Sequence, residues 1–99
     1  MVYKIVIDPK AITDIQSAIN YYEEQQSDLG GKFLKVLNKH FQALENKPFF
    51  RIRYDNVRCL PLKKFPYMVH FTISEEKQLV TIRAIFHTSR NPVFWKRNL

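Results

Sequence analysis

Asn46-Lys47-Pro48-Phe49-Phe50-Arg51-Ile52-Arg53-Tyr54-Asp55-Asn56-Val57-Arg58-Cys59-Leu60 is where this chain changes its period. Before Pro48 apolar residues recur at three- and four-residue steps; after it they alternate every second position, so helix gives way to strand. Upstream, Asp8-Pro9 reads as an N-cap with proline at the first helical position. Ile12, Ile15, Ile19 and Tyr22, with Ala11 and Ala18 beside them, form one apolar stripe, and Asp14, Gln16, Asn20 and Glu23 face water. Ser27-Asp28 offers a second cap, and Phe33, Val36, Leu37, Phe41 and Leu44 make a second stripe that ends at Asn46-Lys47-Pro48. Gly30-Gly31-Lys32 lacks the upstream glycine of a phosphate-binding loop and is read as a turn or first helical turn. Val2 to Ile7 is a short β-branched run, read as a strand.

Downstream, Tyr54-Asp55-Asn56-Val57 reads as a tight hairpin turn joining Arg51-Ile52-Arg53 to Arg58-Cys59-Leu60. Lys63-Lys64-Phe65-Pro66 is the next loop. Tyr67, Val69, Phe71 and Ile73 then alternate with Met68, His70 and Thr72, and Val80, Ile82, Ala84 and Phe86 alternate with Thr81, Arg83, Ile85 and His87. The expected fold is α+β: a short N-terminal strand, a helical hairpin, then a mostly antiparallel sheet of about four strands with both helices on one face. On this pattern Arg83 and His87 share the open face, Tyr67 and Phe86 are core, and the segment after Arg90 is an irregular tail in which Trp95 is hard to place inside.

Ninety-nine residues with 45% apolar content suit one modest core, so residues 1–99 are taken as a single domain. Cys59 is alone, which excludes an intrachain disulfide and leaves no structural zinc cluster; it reads as a small buried hydrophobe. No apolar run is long enough to cross a bilayer and no leader-like segment opens the chain, so a cytoplasmic protein without membrane contact, metal or cofactor is expected. The charge is unevenly spread. Residues 1–50 carry six Lys against six Asp and Glu, whereas residues 51–99 carry ten Lys and Arg against three, the whole of the net +7. A basic half interleaved with aromatic residues favours polyanions or an acidic protein partner, with Arg83, His87, Arg90, Trp95 and Arg97 as candidate target contacts.

His87 closes an apolar strand three residues before Arg90, which places an imidazole beside a fixed positive charge. A hydrogen-bonded structural histidine fits the same position. Cleaving RNA through the 2′-hydroxyl needs a base, an acid and cations around the phosphate. His87 with Arg58, Arg83 and Arg90 would supply most of that set, and Tyr67 and Lys63 are candidates for the second proton carrier. His40 lies on or beside the core stripe of the second helix, and His70 lies mid-strand without a charged neighbour in sequence.

The succession of strand, helical hairpin, Pro48, Arg58, Phe65-Pro66-Tyr67, Ile82-Arg83-Ala84-Ile85-Phe86-His87 and Arg90-Asn91-Pro92 resembles the RelE/ParE superfamily of type II toxin-antitoxin toxins. Asp14-Ile15 with Tyr21-Tyr22, Phe33-Leu34, and the His87 to Arg90 segment before Trp95 add to the likeness. The resemblance implies a compact toxin that arrests its own cell and is neutralised by a cognate antitoxin, with DNA contacted only through that antitoxin. RelE-like members cut messenger RNA on the ribosome, and ParE-like members inhibit DNA gyrase. At what look like the RelE-type lysine, arginine and tyrosine positions stand Cys59 and Pro61, Met68, and Phe94 or Trp95, of which cysteine, proline and methionine cannot balance phosphate charge. The resemblance therefore leans towards a ParE-like gyrase inhibitor, with a ribosome-dependent RNA endonuclease acting through His87, Arg83, Arg90 and Arg58 as the alternative, and a non-toxic nucleic-acid-binding module as a third reading.

Overall fold

In the computed structural model residues 2–97 are described, the side chain of Arg97 excepted. The elements run β1 (Lys4–Ile7), α1 (Pro9–Gln25), α2 (Leu29–Asn46), β2 (Ile52–Tyr54), β3 (Val57–Pro61), β4 (Tyr67–Ser74), β5 (Leu79–His87) and α3 (Pro92–Arg97). As expected, an N-terminal strand and four strands after the hairpin form one sheet, in the order β1-β5-β4-β3-β2, in which β1 lies parallel to β5 and every other pair is antiparallel. No helix among the described residues is long and apolar enough to cross a membrane, and no cluster of three or more His, Cys, Asp or Glu among them is placed to hold a metal ion.

The first helix starts as its sequence dictates: the Asp8 carboxylate accepts the Lys10 amide at 3.0 Å, and Pro9 occupies the first turn. The second does not. Asp28 sits in the left-handed region at φ 72° and its side chain makes no capping bond. Glu23 reaches back from α1 instead, its carboxylate accepting Gly30 N–H at 2.8 Å and Asp28 N–H at 3.3 Å. This arrangement needs the helices to touch at Gly30, where a Cβ would fall 2.7 Å from the Ile19 carbonyl oxygen, so the glycine sets the closeness of the hairpin.

Both helices cover one face of the sheet. Ala11, Ala18, Phe33, Leu37, Phe41 and Leu44 pack on Leu60, Leu62, Val69, Phe71, Val80, Ile82 and Ile85. The expected turn at residues 54–57 forms, with Asp55 at φ 49°.

The expected alternation along β5 holds only to Ile82. Phe71 pairs with Ile82 but His70 pairs with Ala84, so Arg83 is an extra residue, a β-bulge. Beyond it the faces exchange: Ile85 turns to the helical hairpin, while Ala84 and Phe86 join Cys59, Met68 and Trp95 in a second cluster on the other side. Arg83 and His87 therefore do not share a face, because one inserted residue reverses a period-two pattern. Nor is the second face open. Residues 92–97 form α3, with the Asn91 side chain accepting Phe94 N–H at 3.0 Å and Pro92 in the first turn. Trp95, expected outside the core in an irregular tail, is only 5% exposed and covers Met68 and His70.

Candidate functional site

β1 stops at Ile7, opposite Ile82, whereas β5 continues to His87. The unpaired edge of β5 beyond Ile82 is covered by the first turns of α1. Asp14 accepts the Ile85 amide at 3.0 Å and lies 3.7 Å from the Lys10 ammonium, and Asp8 meets Arg83 at 3.5 Å. An unpaired strand N–H is satisfied here by a helix carboxylate, a charge-assisted bond. Asp14, read as a solvent-facing residue, is thereby a structural tie.

Where β5 ends, the chain turns on His87. Ser89 N–H donates to His87 Nδ1 at 3.1 Å, Ser89 Oγ lies 2.8 Å from the same nitrogen, and Arg90 N–H donates to the His87 carbonyl at 3.0 Å. With Nδ1 accepting, a neutral ring carries its proton on Nε2. Tyr67 pairs with His87 across the strands, ring centroids 5.2 Å apart. Burial raises the Tyr67 phenol, Tyr21 raises it further and Arg90 lowers it, so at neutral pH it is a hydrogen-bond donor.

Two adjoining clefts open at this corner. One, of about 400 Å³, runs between α1 and the end of β5 and includes Lys10, Asp14, Tyr21, Tyr67, His87 and Arg90. The other, of about 540 Å³, lies between Tyr21, Pro66, Tyr67, His87 and Arg90. Arg90 stacks on Phe94 at 4.6 Å and Lys10 on Phe86 at 5.0 Å, so both cations are held over rings at the rim. Such a corner can take an anionic or hydrogen-bonding group and stack a planar one.

Of the residues singled out in the sequence, His87 and Arg90 come together, joined by Tyr67. Arg58 does not join them. It donates to the Phe50 carbonyl at 3.0 Å and stacks on Phe49 at 5.4 Å. It pairs with Phe71, four residues along β4 from Tyr67, or roughly 13 Å at strand rise. Arg83 lies on the α3 side, donating to Thr72 Oγ1 at 3.1 Å. Trp95 is buried there beneath Arg53 at 5.8 Å. Lys63 lines neither cleft, and the Arg97 side chain lies outside the described residues. Lys10 and Tyr21 were missed, since only tertiary packing brings α1 to the end of β5.

His70 is fully buried beneath α3, its Nδ1 3.0 Å from Tyr54 Oη and 3.4 Å from Cys59 Sγ. Burial, with Arg53 adding, pushes its pKa down to about 4, and burial pushes the Cys59 thiol up to about 11 and raises the Tyr54 phenol. A neutral imidazole and a protonated thiol are the result. Cys59 is an inert packing residue, as its sequence setting suggested.

The sequence pattern of the ParE toxin of the type II toxin-antitoxin system parDE matches residues 5–92. The chain belongs to the ParE toxin family. Solved structures agree at the level of fold. A chain of the chromosomal ParDE system of Pseudomonas aeruginosa superimposes with a TM-score of 0.79 at 16% identity, over 89% of this chain and 98% of that one. The RelBE2 toxin-antitoxin complex of Mycobacterium tuberculosis gives 0.65 at 16% identity over 91% and 95%. The archaeal RelE-RelB complex of Pyrococcus horikoshii gives 0.59 at 12% over 92% and 100%. No curated protein sequence matches this ParE-family chain.

Proposed function

We propose that this protein is the toxin of a type II module that arrests its own cell by binding and inhibiting DNA gyrase, and that a cognate antitoxin neutralises it in the cytoplasm and makes the module's only DNA contact. The observation that carries this reading is the dispersal of the cations. A phosphodiester cut needs positive charge converging on the phosphate beside the proton carriers, but Arg58 and Arg83 are tied to other partners at other places. His87 and Arg90, with Lys10, remain at one corner as a recognition surface. Family membership favours the same branch.

One observation favours ribosome-dependent RNA cleavage as the second reading: His87 with Nε2–H available, beside the Tyr67 phenol and Arg90. Gyrase supercoiling and messenger RNA integrity, followed in the same cells after induction of wild type and His87→Ala, separate the two. Under gyrase inhibition His87→Ala removes one contact of several and retains most of the toxicity, whereas Arg90→Glu reverses a charge of the recognition surface and loses it, with RNA unharmed in both. Early codon-phased RNA cuts that vanish in His87→Ala, where loss of a general acid or base lowers the rate about 10²- to 10⁴-fold, would overturn the inhibitor reading. A culture that grows normally while expressing the free protein would remove the toxin reading itself.

A further inference from the structure

Residues 46–54, where the chain passes from α2 to β2, hold Lys47, Arg51 and Arg53 and no carboxylate. They also hold three large apolar side chains that the fold leaves outside: Phe49 is 53% exposed, Phe50 38% and Ile52 48%. The projection is built in. Pro48 is fully buried, and Phe50 N–H donates back to the Pro48 carbonyl at 2.8 Å, so a tight turn on an anchored proline throws Phe49 outward. Tyr3 meets Phe49 edge-on at 5.8 Å, and Phe50 meets Phe71 edge-on at 6.4 Å. Arg58, the cross-strand partner of Ile52, lies over Phe49 at 5.4 Å and donates to the Phe50 carbonyl at 3.0 Å. These contacts hold the segment from within. β2 is the last strand of the sheet, so the three side chains stand on a rim. A hollow of about 390 Å³ beside them is lined by Asn46, Lys47, Phe49 and Phe50.

We infer that this rim is a membrane-contact site that seats the protein peripherally on an anionic lipid surface. Phe49, Phe50 and Ile52 enter the headgroup region, and Lys47, Arg51, Arg53 and Arg58 meet lipid phosphates. The absence of a membrane-spanning run does not bear on such contact, which needs none. Three features select a bilayer. Exposed apolar side chains rimmed by cations mark membrane or protein contact, and here they project from a sheet edge, a shape that enters a soft interface, instead of flooring a groove cut for a folded partner. A nucleic acid would need free ring faces to stack on, but Arg58 covers Phe49, both phenylalanines are engaged by other rings, and Ile52 has none. A second copy of this chain would set Arg51 and Arg53 against their own equivalents, an unfavourable pairing of like charges. Apolar insertion and positive charge are also the two signals whose combination makes peripheral attachment stable, where either alone gives weak contact. None of these residues lines the clefts at the His87 corner, so the site is independent of which target the toxin strikes.

The test uses the full chain, sedimented with vesicles of phosphatidylcholine alone or with about one-third phosphatidylglycerol, which gives an anionic surface. Wild type should bind the anionic vesicles, come off as salt rises, and bind the neutral ones far less; no binding to the anionic vesicles would overturn the site. Phe49→Ser with Ile52→Ser should weaken binding about tenfold or more. Lys47→Gln with Arg51→Gln should weaken it about twenty-five-fold, at about fivefold for each cation near an anionic leaflet. Lys35→Gln with Lys39→Gln, an equal change of charge at exposed positions of α2, is the control and should retain most of the binding. Equal loss in the control would mean that the net charge of +7 acts without a site. That result would overturn the proposal, as would an unaltered affinity in the serine variant at unchanged thermal stability. Hydrogen exchange of wild type with and without vesicles needs no variant: lipid should protect residues 49–53, and no protection there in vesicle-bound protein would overturn the site. Loss of polythymidine binding in the serine variant with undiminished vesicle binding would make the rim a nucleic-acid strip. Self-association lost in that variant, again with vesicle binding intact, would make it a contact between copies, and either result overturns the membrane site. Growth arrest is not the readout, so failure here leaves the toxin reading standing and loss of toxicity leaves the rim standing.

Discussion

The two faces of this sheet are held by different physics. Under α1 and α2, Phe33, Leu37, Leu44, Val69, Phe71, Val80 and Ile82 are at zero exposure and pack together in an apolar layer spanned by two helices of 17 and 18 residues. Under α3, six residues long, the layer is made of rings around a histidine: His70 lies 4.9 Å from both Phe86 and Trp95. There His70 Nε2 and Trp95 Nε1 are buried with no hydrogen-bond partner among the described residues. A buried polar group left without a partner costs about 1–3 kcal/mol, and among the described residues no such side-chain group lies under α1 and α2. The hairpin side should therefore set global stability and the α3 side should be the adjustable one. Trp95, the chain's single tryptophan, reports on the α3 side by fluorescence, while far-ultraviolet circular dichroism weighs the two long helices.

The largest effect should come from the hairpin side. Phe33→Ala removes a ring with zero exposure that touches Tyr22, Phe65 and Tyr67. A loss of about 3–5 kcal/mol is expected, seen in urea titration as one transition that shifts equally in both signals. A shift confined to fluorescence would mean that the contrast between the faces is drawn the wrong way round.

The α3 side should instead be sensitive to acid. His70 is held neutral down to about pH 4, whereas in the unfolded chain it protonates near 6.5. Between these values the unfolded state binds a proton that the folded state does not. Stability from this group is thus complete above about pH 6.5 and falls as pH drops towards 4, by up to about 3 kcal/mol. His70→Phe keeps a ring against Phe86 and Trp95 and should remove that part of the acid dependence. Comparing urea unfolding at neutral and mildly acid pH isolates it from the carboxylates; an identical pH slope in wild type and variant would discard His70 as the group responsible.

The same contrast governs what the sequence made legible. The helical hairpin was readable because its stripes are long and Asp8-Pro9 is a cap of known chemistry. The bulge was not, since Ala84, Ile85 and Phe86 are all apolar and satisfy the alternation in either phase. The α3 helix carried the same signal as α1, Asn91-Pro92 in place of Asp8-Pro9, but six residues give no stripe to confirm it. At the candidate site, His87 and Arg90 are three residues apart and could be read together. Lys10, Asp14 and Tyr21 reach that corner from a helix some seventy residues earlier in the chain, a proximity that no local spacing encodes.

A smaller effect is expected where the two layers meet at the β5 edge. Asp14→Ala leaves the part-buried Ile85 amide without its acceptor, at about 1–3 kcal/mol. Asp14→Asn retains an oxygen and should lose less. Hydrogen exchange at the Ile85 amide should accelerate selectively in the alanine variant; unchanged protection would show that the carboxylate is dispensable to the edge.

The smallest effect, and the sharpest test of the comparison, is at the cap of α3. Asn91 accepts Phe94 N–H at 3.0 Å and its carbonyl accepts Trp95 N–H at 3.3 Å, so the side chain fixes the first turn of a helix too short to be stable alone. Asn91→Ala should cost about 1 kcal/mol, and Asn91→Asp, which keeps an acceptor and adds favourable charge at a helix N-terminus, should cost little. If α3 is a separately adjustable layer, the alanine variant changes Trp95 emission at urea concentrations where the circular dichroism of α1 and α2 is still native. Coincident transitions in both signals would instead make the hairpin and α3 sides one cooperative unit. The bulge at Arg83 would then join the two faces, since it is the residue at which β5 passes from one layer to the other and is tied to both Asp8 and Thr72.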